Sequence, residues 1–196
     1  MFDFAQDYIL ENERAKLIPL SQEHFKPLSP LAKEEDLWTY FLGRSNGFLN
    51  FKGYITDAIA HRTDKLEYPF AVFDKASNSF AGCTRFFQYD EALKGIRLGY
   101  TWYGADYRGT GLNKNCKYLM FEFAFEQLDV ERVGLGAHEE NKVSIAAMKN
   151  IGCTQEGSIR NVFPSIHTFD RANAILFSLL KEEWATKVKQ DLKNSI

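Results

Sequence analysis

At 196 residues, with 45% hydrophobic, 15% aromatic and 26% charged residues, the chain has the composition of one soluble globular domain. A chain of that length buries a core without disulfide or metal staples. The net charge of -2 and the scattered basic residues argue against nucleic acid as a partner. No run approaches the roughly 18 apolar residues that span a bilayer, and Met1-Phe2-Asp3-Phe4 lacks the basic start of a leader, so a soluble cytoplasmic protein is expected. Cys83, Cys116 and Cys153 lie far apart without zinc or redox spacing and read as buried free thiols, and no metal site is expected.

In chain order, Arg14 to Leu20 predicts a short strand, followed by a helix opening at Ser21 and running past Glu23 to Glu34. The segment from Asp36 to Asn50, with Trp38, Tyr40, Phe41, Gly43, Gly47 and Phe48, reads as an irregular lid. Phe51 to Arg62 carries Tyr54, Ile55, Ala58 and Ile59 at helical spacing. Three strands follow as an antiparallel meander: Pro69 to Asp74, Phe80 to Tyr89, and Gly95 to Tyr103. After Gly111 the period changes. Leu112, Cys116, Leu119, Met120, Phe123, Ala124 and Leu128 mark one helix face, with Tyr118, Phe121 and Phe125 as a second apolar stripe. Val133, Leu135 and Ala137 alternate as a strand, Asn141 to Asn150 predicts a helix stopped at Gly152, and Ala174 to Leu180 reads as a central strand. The last fifteen or so residues are charged and predict a solvated terminal helix. A strand-helix-strand unit joined to a meander implies a mixed sheet with helices packed against it.

The segment that carries chemistry is Tyr107-Arg108-Gly109-Thr110-Gly111-Leu112-Asn113, which leaves a strand and enters the long helix within a few residues. Two glycines permit a tight turn, and the helix start presents unpaired N–H groups and the positive end of its dipole. The pattern fits plain punctuation before a helix or an anion site for phosphate or pyrophosphate, to which Arg108 adds charge. It is not a P-loop, since no Lys-Ser/Thr follows, and it lacks the third glycine of the dinucleotide fingerprint.

Gly99-Tyr100-Thr101-Trp102-Tyr103 with this loop resembles the strand and CoA-pyrophosphate loop of the GNAT acyltransferases. Asn141-Lys142-Val143-Ser144, then Lys149-Asn150-Ile151-Gly152-Cys153, resembles that family's Asn-x-x-Ser helix and its ending. The closing Phe177 to Trp184 stretch, Arg14 to Leu20 and Trp38-x-Tyr40 are similar to its RimJ/RimL-like branch. The likeness covers nearly the whole chain. It implies a single α/β domain of the mixed α+β kind, with a mostly antiparallel sheet of about seven strands and helices on both faces.

The same resemblance implies acetyl-CoA as co-substrate. Backbone amides of Arg108, Gly109, Thr110, Gly111, Leu112 and Asn113 would cradle its pyrophosphate. Thr101, Trp102 and Tyr103 would pair with the pantetheine arm like an added strand, and Asn141 would bond it from the other side. The reaction implied is direct acetyl transfer to a primary amine, a protein N-terminus or a small amine, in a ternary complex. Many relatives carry a tyrosine acid on the second helix where this chain has Met148, so Ser144 becomes the catalytic expectation. They often carry a glutamate where Arg97 stands, which leaves Glu35, Asp36, His138 and Glu140 as base candidates. The absence of an obvious base leans toward α-amines, because a chain-terminal amine with a pKa of about 7.7–8.0 is partly neutral unaided. The acceptor end is expected at Trp38 and Tyr40, among aromatics that include Phe41, Phe86, Phe87 and Tyr89. A CoA-binding regulatory protein without transferase activity is the alternative, with a nucleotide-binding module behind it, and a homodimer is compatible with either.

Overall fold

The computed structural model describes residues 2–41 and 50–196. One sheet of eight strands runs through it: β1 (Leu10–Glu11), β2 (Ala15–Pro19), β3 (Glu67–Asp74), β4 (Ser79–Asp90), β5 (Gly95–Tyr103), β6 (Arg132–His138), β7 (Thr154–Pro164) and β8 (Arg171–Leu180). The spatial order is β1-β2-β3-β4-β5-β6-β8-β7. Every neighbouring pair is antiparallel except β5 and β6. A parallel pair needs a crossover, and the long amphipathic segment after Gly111 supplies it as α3 (Leu112–Glu122), continued by a wide π turn over Phe123–Gln127. The mixed sheet with helices on both faces is the expected architecture. The sheet has eight strands where about seven were expected, and β1, of two residues, is too short to leave a period in the sequence.

Helices cover the two faces unequally. On one side α3 lays Leu112, Cys116, Met120, Phe121 and Phe123 against Leu17, Phe70, Leu98, Val133 and Phe177. On the other, α1 (Phe25–Leu28) and α2 (Phe51–Thr63) pack Leu28, Phe51, Tyr54, Ile55 and Ala58 on Ala71, Cys83 and Trp102. α4 (Lys142–Asn150) follows β6.

Two helical expectations are corrected. The helix expected from Ser21 is broken into 3-10 turns at Gln22–His24, Leu31–Lys33 and Glu35–Trp38 around the single turn of α1. Pro27 and Pro30 lack the N–H groups that a continuous helix would need. The terminal segment is helical, as α5 (Lys181–Glu183), a π turn and α6 (Lys189–Asn194), but it is docked rather than solvated. Trp184, Val188 and Leu192, four apart, are buried on one stripe, with Trp184 among Tyr118, Phe121 and Phe125. Of the expected lid, Gly43, Gly47 and Phe48 lie outside the described residues. The three cysteines are buried free thiols, held by burial at about 12 (Cys83), about 11 (Cys116) and about 12 (Cys153).

β4 and β5 approach each other tightly at Gly82, where an added Cβ would lie 1.9 Å from the carbonyl oxygen of Trp102. Gly82→Ala must therefore push β5 away from β4. The expected cost is about 2–3 kcal/mol, typical of overpacking against backbone, read as a lower urea midpoint at unchanged m. An unchanged midpoint would mean that the strands part there without penalty.

Candidate active site

β5 and β6 are bonded at only three positions, Gly95↔Arg132, Ile96↔Val133 and Arg97↔Gly134. Beyond these, β6 continues on β8 as far as His138↔Ala174, and β5 continues on β4 as far as Gly82↔Tyr103. The two parallel strands thus split into a wedge between Gly99–Tyr103 and Leu135–His138. A bulge drives the split. Arg85 pairs with Gly99 and Cys83 with Trp102, so β5 carries one extra residue, and Tyr100 sits at φ 49° in the left-handed region. Bulges bend and twist the strand that carries them.

The side chains of the expected pantetheine strand are all committed inward. Thr101 Oγ1 accepts from Lys117 Nζ at 2.7 Å, Trp102 Nε1 donates to the Tyr54 hydroxyl at 3.1 Å, and the Tyr103 hydroxyl donates to Asn113 Oδ1 at 3.3 Å. What β5 offers the wedge is its backbone. Gly104 N–H donates to the Ala81 carbonyl on β4 at 3.0 Å, so strand alternation turns the peptide of Tyr103 the other way, into the wedge.

At the end of β5 the chain enters the glycine loop. Gly109 (φ 74°) and Gly111 (φ 87°) are left-handed, and a Cβ at either would meet nothing within 4 Å. Their requirement is conformational, and the space above them is open. Among the described residues the amides of Gly109, Thr110 and Gly111 donate to no acceptor, and they sit at the start of α3 where the helix dipole is positive. Thr110 Oγ1 closes the turn by donating to the Tyr107 carbonyl at 2.9 Å. Arg108 acts differently from expectation. Its guanidinium bonds Glu34 Oε2 at 2.7 Å and the Tyr103 carbonyl at 2.9 Å, while Glu34 Oε1 takes the Ala105 amide at 2.7 Å. The side chain pins the loop in place, and the backbone does the facing. Glu34, distant in sequence, gave no signal of this role.

On the opposite wall Asn141 caps α4, its Oδ1 accepting the Ser144 amide at 3.0 Å. Its carboxamide N–H groups and the half-buried Ser144 hydroxyl have no hydrogen-bond partner among the described residues. Met148 is buried in the core.

The base candidates are spoken for or exposed. His138 Nδ1 accepts the Glu140 amide at 3.1 Å, so its proton is on Nε2, which faces the Pro164 carbonyl at 3.0 Å. With its ring stacked on Phe163, His138 is structural. Glu140 clamps the β7–β8 turn through the Ile166 amide and Ser165 hydroxyl, which hold its carboxyl below the usual range and ionised. Glu35 and Asp36 are exposed on the 3-10 turn.

Of the two expected acceptor residues, one reaches this wall. Tyr40 donates to the Glu140 carbonyl at 3.1 Å and lies 5.4 Å from the His138 ring. Trp38 is 6% exposed, donates to the Ala32 carbonyl, and packs among Phe41, Phe51, Tyr54 and Trp102. It holds Tyr40's segment down and has no polar atom to offer a ligand.

Two buried cations behind the bulge were not legible in the sequence. Arg85 pairs with Glu67 at 2.5 Å and lies over the rings of Tyr54 and Tyr100 at 5.0 and 4.9 Å. Lys117 on α3 is 5% exposed, bonded to Thr101 and, at 3.4 Å, to Thr84, with no carboxylate partner among the described residues. Burial lowers its ammonium to about 8.

A split sheet whose parted strands lead to a glycine-lined helix start defines a protein built to take an extended ligand that ends in phosphate. Comparison with known proteins gives that class its name. The model described as acetyltransferase (GNAT) domain matches residues 14–154, and the chain belongs to that family. It is 28% identical over 108 residues to YdaF of Bacillus subtilis, a candidate ribosomal N-acetyltransferase, a match spanning 54% of this chain and 56% of that one. The crystal structure of a GCN5-related N-acetyltransferase from Brucella melitensis superposes with a TM-score of 0.84 at 25% identity, covering 96% of this chain and 85% of that one. The microcin C7 self-immunity acetyltransferase MccE, solved in complex with acetyl-CoA and AMP, shares the fold, with a TM-score of 0.72 at 18% identity over 86% of this chain and 93% of its own.

The buried Lys117 makes stability depend on pH. An unfolded lysine titrates near 10.4, so between pH 8 and 10.4 the unfolded chain binds the extra proton and stability rises with pH; below pH 8 the full penalty remains. Lys117→Met should stabilise the protein by about 2 kcal/mol at pH 7, with the gain shrinking to nothing by about pH 10.5. Denaturation midpoints measured from pH 7 to 10.5 check this, and a gain constant across that range would refute it.

Proposed function

We propose that this chain, working as one GNAT domain in the cytoplasm, transfers an acetyl group from acetyl-CoA to a primary amine in a ternary complex. The observation that carries the reading is the wedge between β5 and β6, with an open cradle of amides at the end of β5. The amides of Gly109, Thr110 and Gly111, continued by those of Leu112 and Asn113 in the first turn of α3, take the pyrophosphate, whereas the Arg108 amide is already given to the Ala105 carbonyl. The Thr101 carbonyl and the Tyr103 N–H face the wedge and bond the pantetheine arm as a strand would, Trp102 between them being paired with Cys83 on β4, and the carboxamide of Asn141 donates to the arm from α4. MccE, a protein of the same fold, was solved with acetyl-CoA.

With the thioester carbonyl held on the Thr101 N–H, the wedge-facing donor next to the bulge, the lone pair of a neutral amine attacks the carbonyl carbon, giving an oxyanion that this amide stabilises. Collapse breaks the C–S bond, and the leaving thiolate takes a proton through Ser144, while the nitrogen loses its own to solvent. Met148, which replaces the tyrosine expected by resemblance, is apolar and buried and supplies no proton. With His138 and Glu140 committed to structure, the acceptor must arrive already neutral. That favours α-amines, with a pKa of about 7.7–8.0, over lysine side chains near 10.4. The acceptor approaches past Tyr40, over a segment that Trp38 anchors.

The decisive experiment pairs thermal stability with thiol release. Acetyl-CoA at a hundred times its Kd should add about 2.7 kcal/mol of stability, and free thiol should appear with amines present. Stabilisation without thiol from any amine would favour a CoA-binding protein without transferase activity. Gly111→Ala, strained at its positive φ, should weaken acetyl-CoA binding about tenfold or more. Ser144→Ala should lower kcat about a hundredfold while acetyl-CoA affinity stays within about twofold. Equal loss of both would remove Ser144 from the chemistry. At pH 7 peptide N-termini should exceed lysine side chains in kcat/KM by at least about tenfold.

A further inference from the structure

At the closed end of the wedge lies a cation with no carboxylate against it among the described residues. Arg97 occupies the last paired position of β5, opposite Gly134. Its side chain runs out along β6: a Cβ on Gly134 would lie 3.4 Å from Arg97 Cγ, and one on Gly136 would lie 3.2 Å from Nη2. The guanidinium therefore reaches two residues beyond the point where β5 and β6 part. Its carbon stands 5.3 Å from the centre of the Phe87 ring, and its one hydrogen bond among the described residues is a long one, 3.4 Å from Nη1 to Gln88 Oε1.

No carboxylate pairs with Arg97 among the described residues. The acid that shares this face of the sheet, Glu156, is held by Arg132 and by Ser178. Arg132 and the Tyr100 phenol are the titratable groups that bear on Arg97, and burial holds its guanidinium below the usual value. Glycine at 134 and 136 keeps β6 bare beneath it, and glycine at 99 does the same on β5, where a Cβ would strike Phe87 at 3.1 Å. A half-buried guanidinium with four of its five donors unused, laid on bare backbone against one aromatic ring, matches the planar bidentate geometry of a carboxylate.

We propose that Arg97 is a carboxylate-binding subsite for the acceptor, so that the amine acetylated belongs to a molecule bearing a carboxylate within a few atoms of its nitrogen. The proposal rests on the acetyl-transfer reading, which brings the thioester to this end of the wedge. Two sources share the chemistry: a free amino acid, through its own carboxylate, and a peptide N-terminus with an acidic residue next to it.

The test separates binding from turnover. The CoA-loaded full chain is titrated calorimetrically with N-acetyl amino acids and their carboxamides, and in a second arm with N-acetyl peptide amides carrying Asp or Asn at the second position. Thiol release from the corresponding free amines is followed alongside, with wild type, Arg97→Gln and Arg97→Lys. Tighter binding of the carboxylate member of a pair, at least tenfold in the wild type, abolished in Arg97→Gln and partly kept in Arg97→Lys, is the expected result. In turnover Arg97→Gln should raise KM for carboxylate acceptors by the same factor while the KM for acetyl-CoA stays within twofold. The arm that discriminates names the source. Equal binding of acid and amide in both arms, or equal loss of both in Arg97→Gln, would overturn the subsite even if thiol release proceeds. Arg97-dependent carboxylate binding with no thiol release from any amine would keep the subsite and overturn the transfer reading.

Discussion

Two parallel strands that stop bonding to each other leave backbone donors and acceptors that must find another partner, and the rest of this protein is arranged around that requirement. β5 and β6 share three register positions and then diverge, each held on its outer side by an antiparallel neighbour. The outer pairings keep the wedge from collapsing. Among the described residues the inner edges pair with no other strand, which suits a ligand with peptide-like amides of its own. In an edge strand such groups are a liability; inside a split sheet they become a slot.

The bulge at Tyr100 sets that slot, and charge collects behind it. Arg85 and Lys117 are both buried beside β5, one on each face, and Arg97 reaches out from its last paired residue. Of these three, only Arg85 has a carboxylate partner among the described residues, Glu67, which also stands 3.3 Å from His61 Nδ1. An excess of positive charge in a low-dielectric setting costs folding free energy and favours negative charge developing nearby. A thioester that passes through an oxyanion and releases a thiolate is such chemistry.

Helix ends hold the ligand-facing pieces in register. Asn141 fixes the first turn of α4 with its side-chain oxygen and keeps its nitrogen for other use. Glu34, from a segment broken by two prolines, reaches the loop before α3 and ties Arg108 to Ala105. The glycine loop is shaped by side chains that never face the ligand.

The sequence by itself determined the strand meander, the crossover helix and the loop that opens it, because each leaves a local mark: a period of two, a period near 3.6, and glycines where φ must be positive. The helix that begins at Asn141 was legible for the same reason, since its cap and its period fall within a few residues. Only the tertiary structure decided which polar side chains are spent on the frame and which are left without a partner among the described residues. Arg108 turned to Glu34, His138 to Pro164, Trp38 to the core, and Lys117 to Thr101. Those choices depend on contacts between residues far apart in the chain, and a hydrogen bond across such a separation leaves no period or spacing to read.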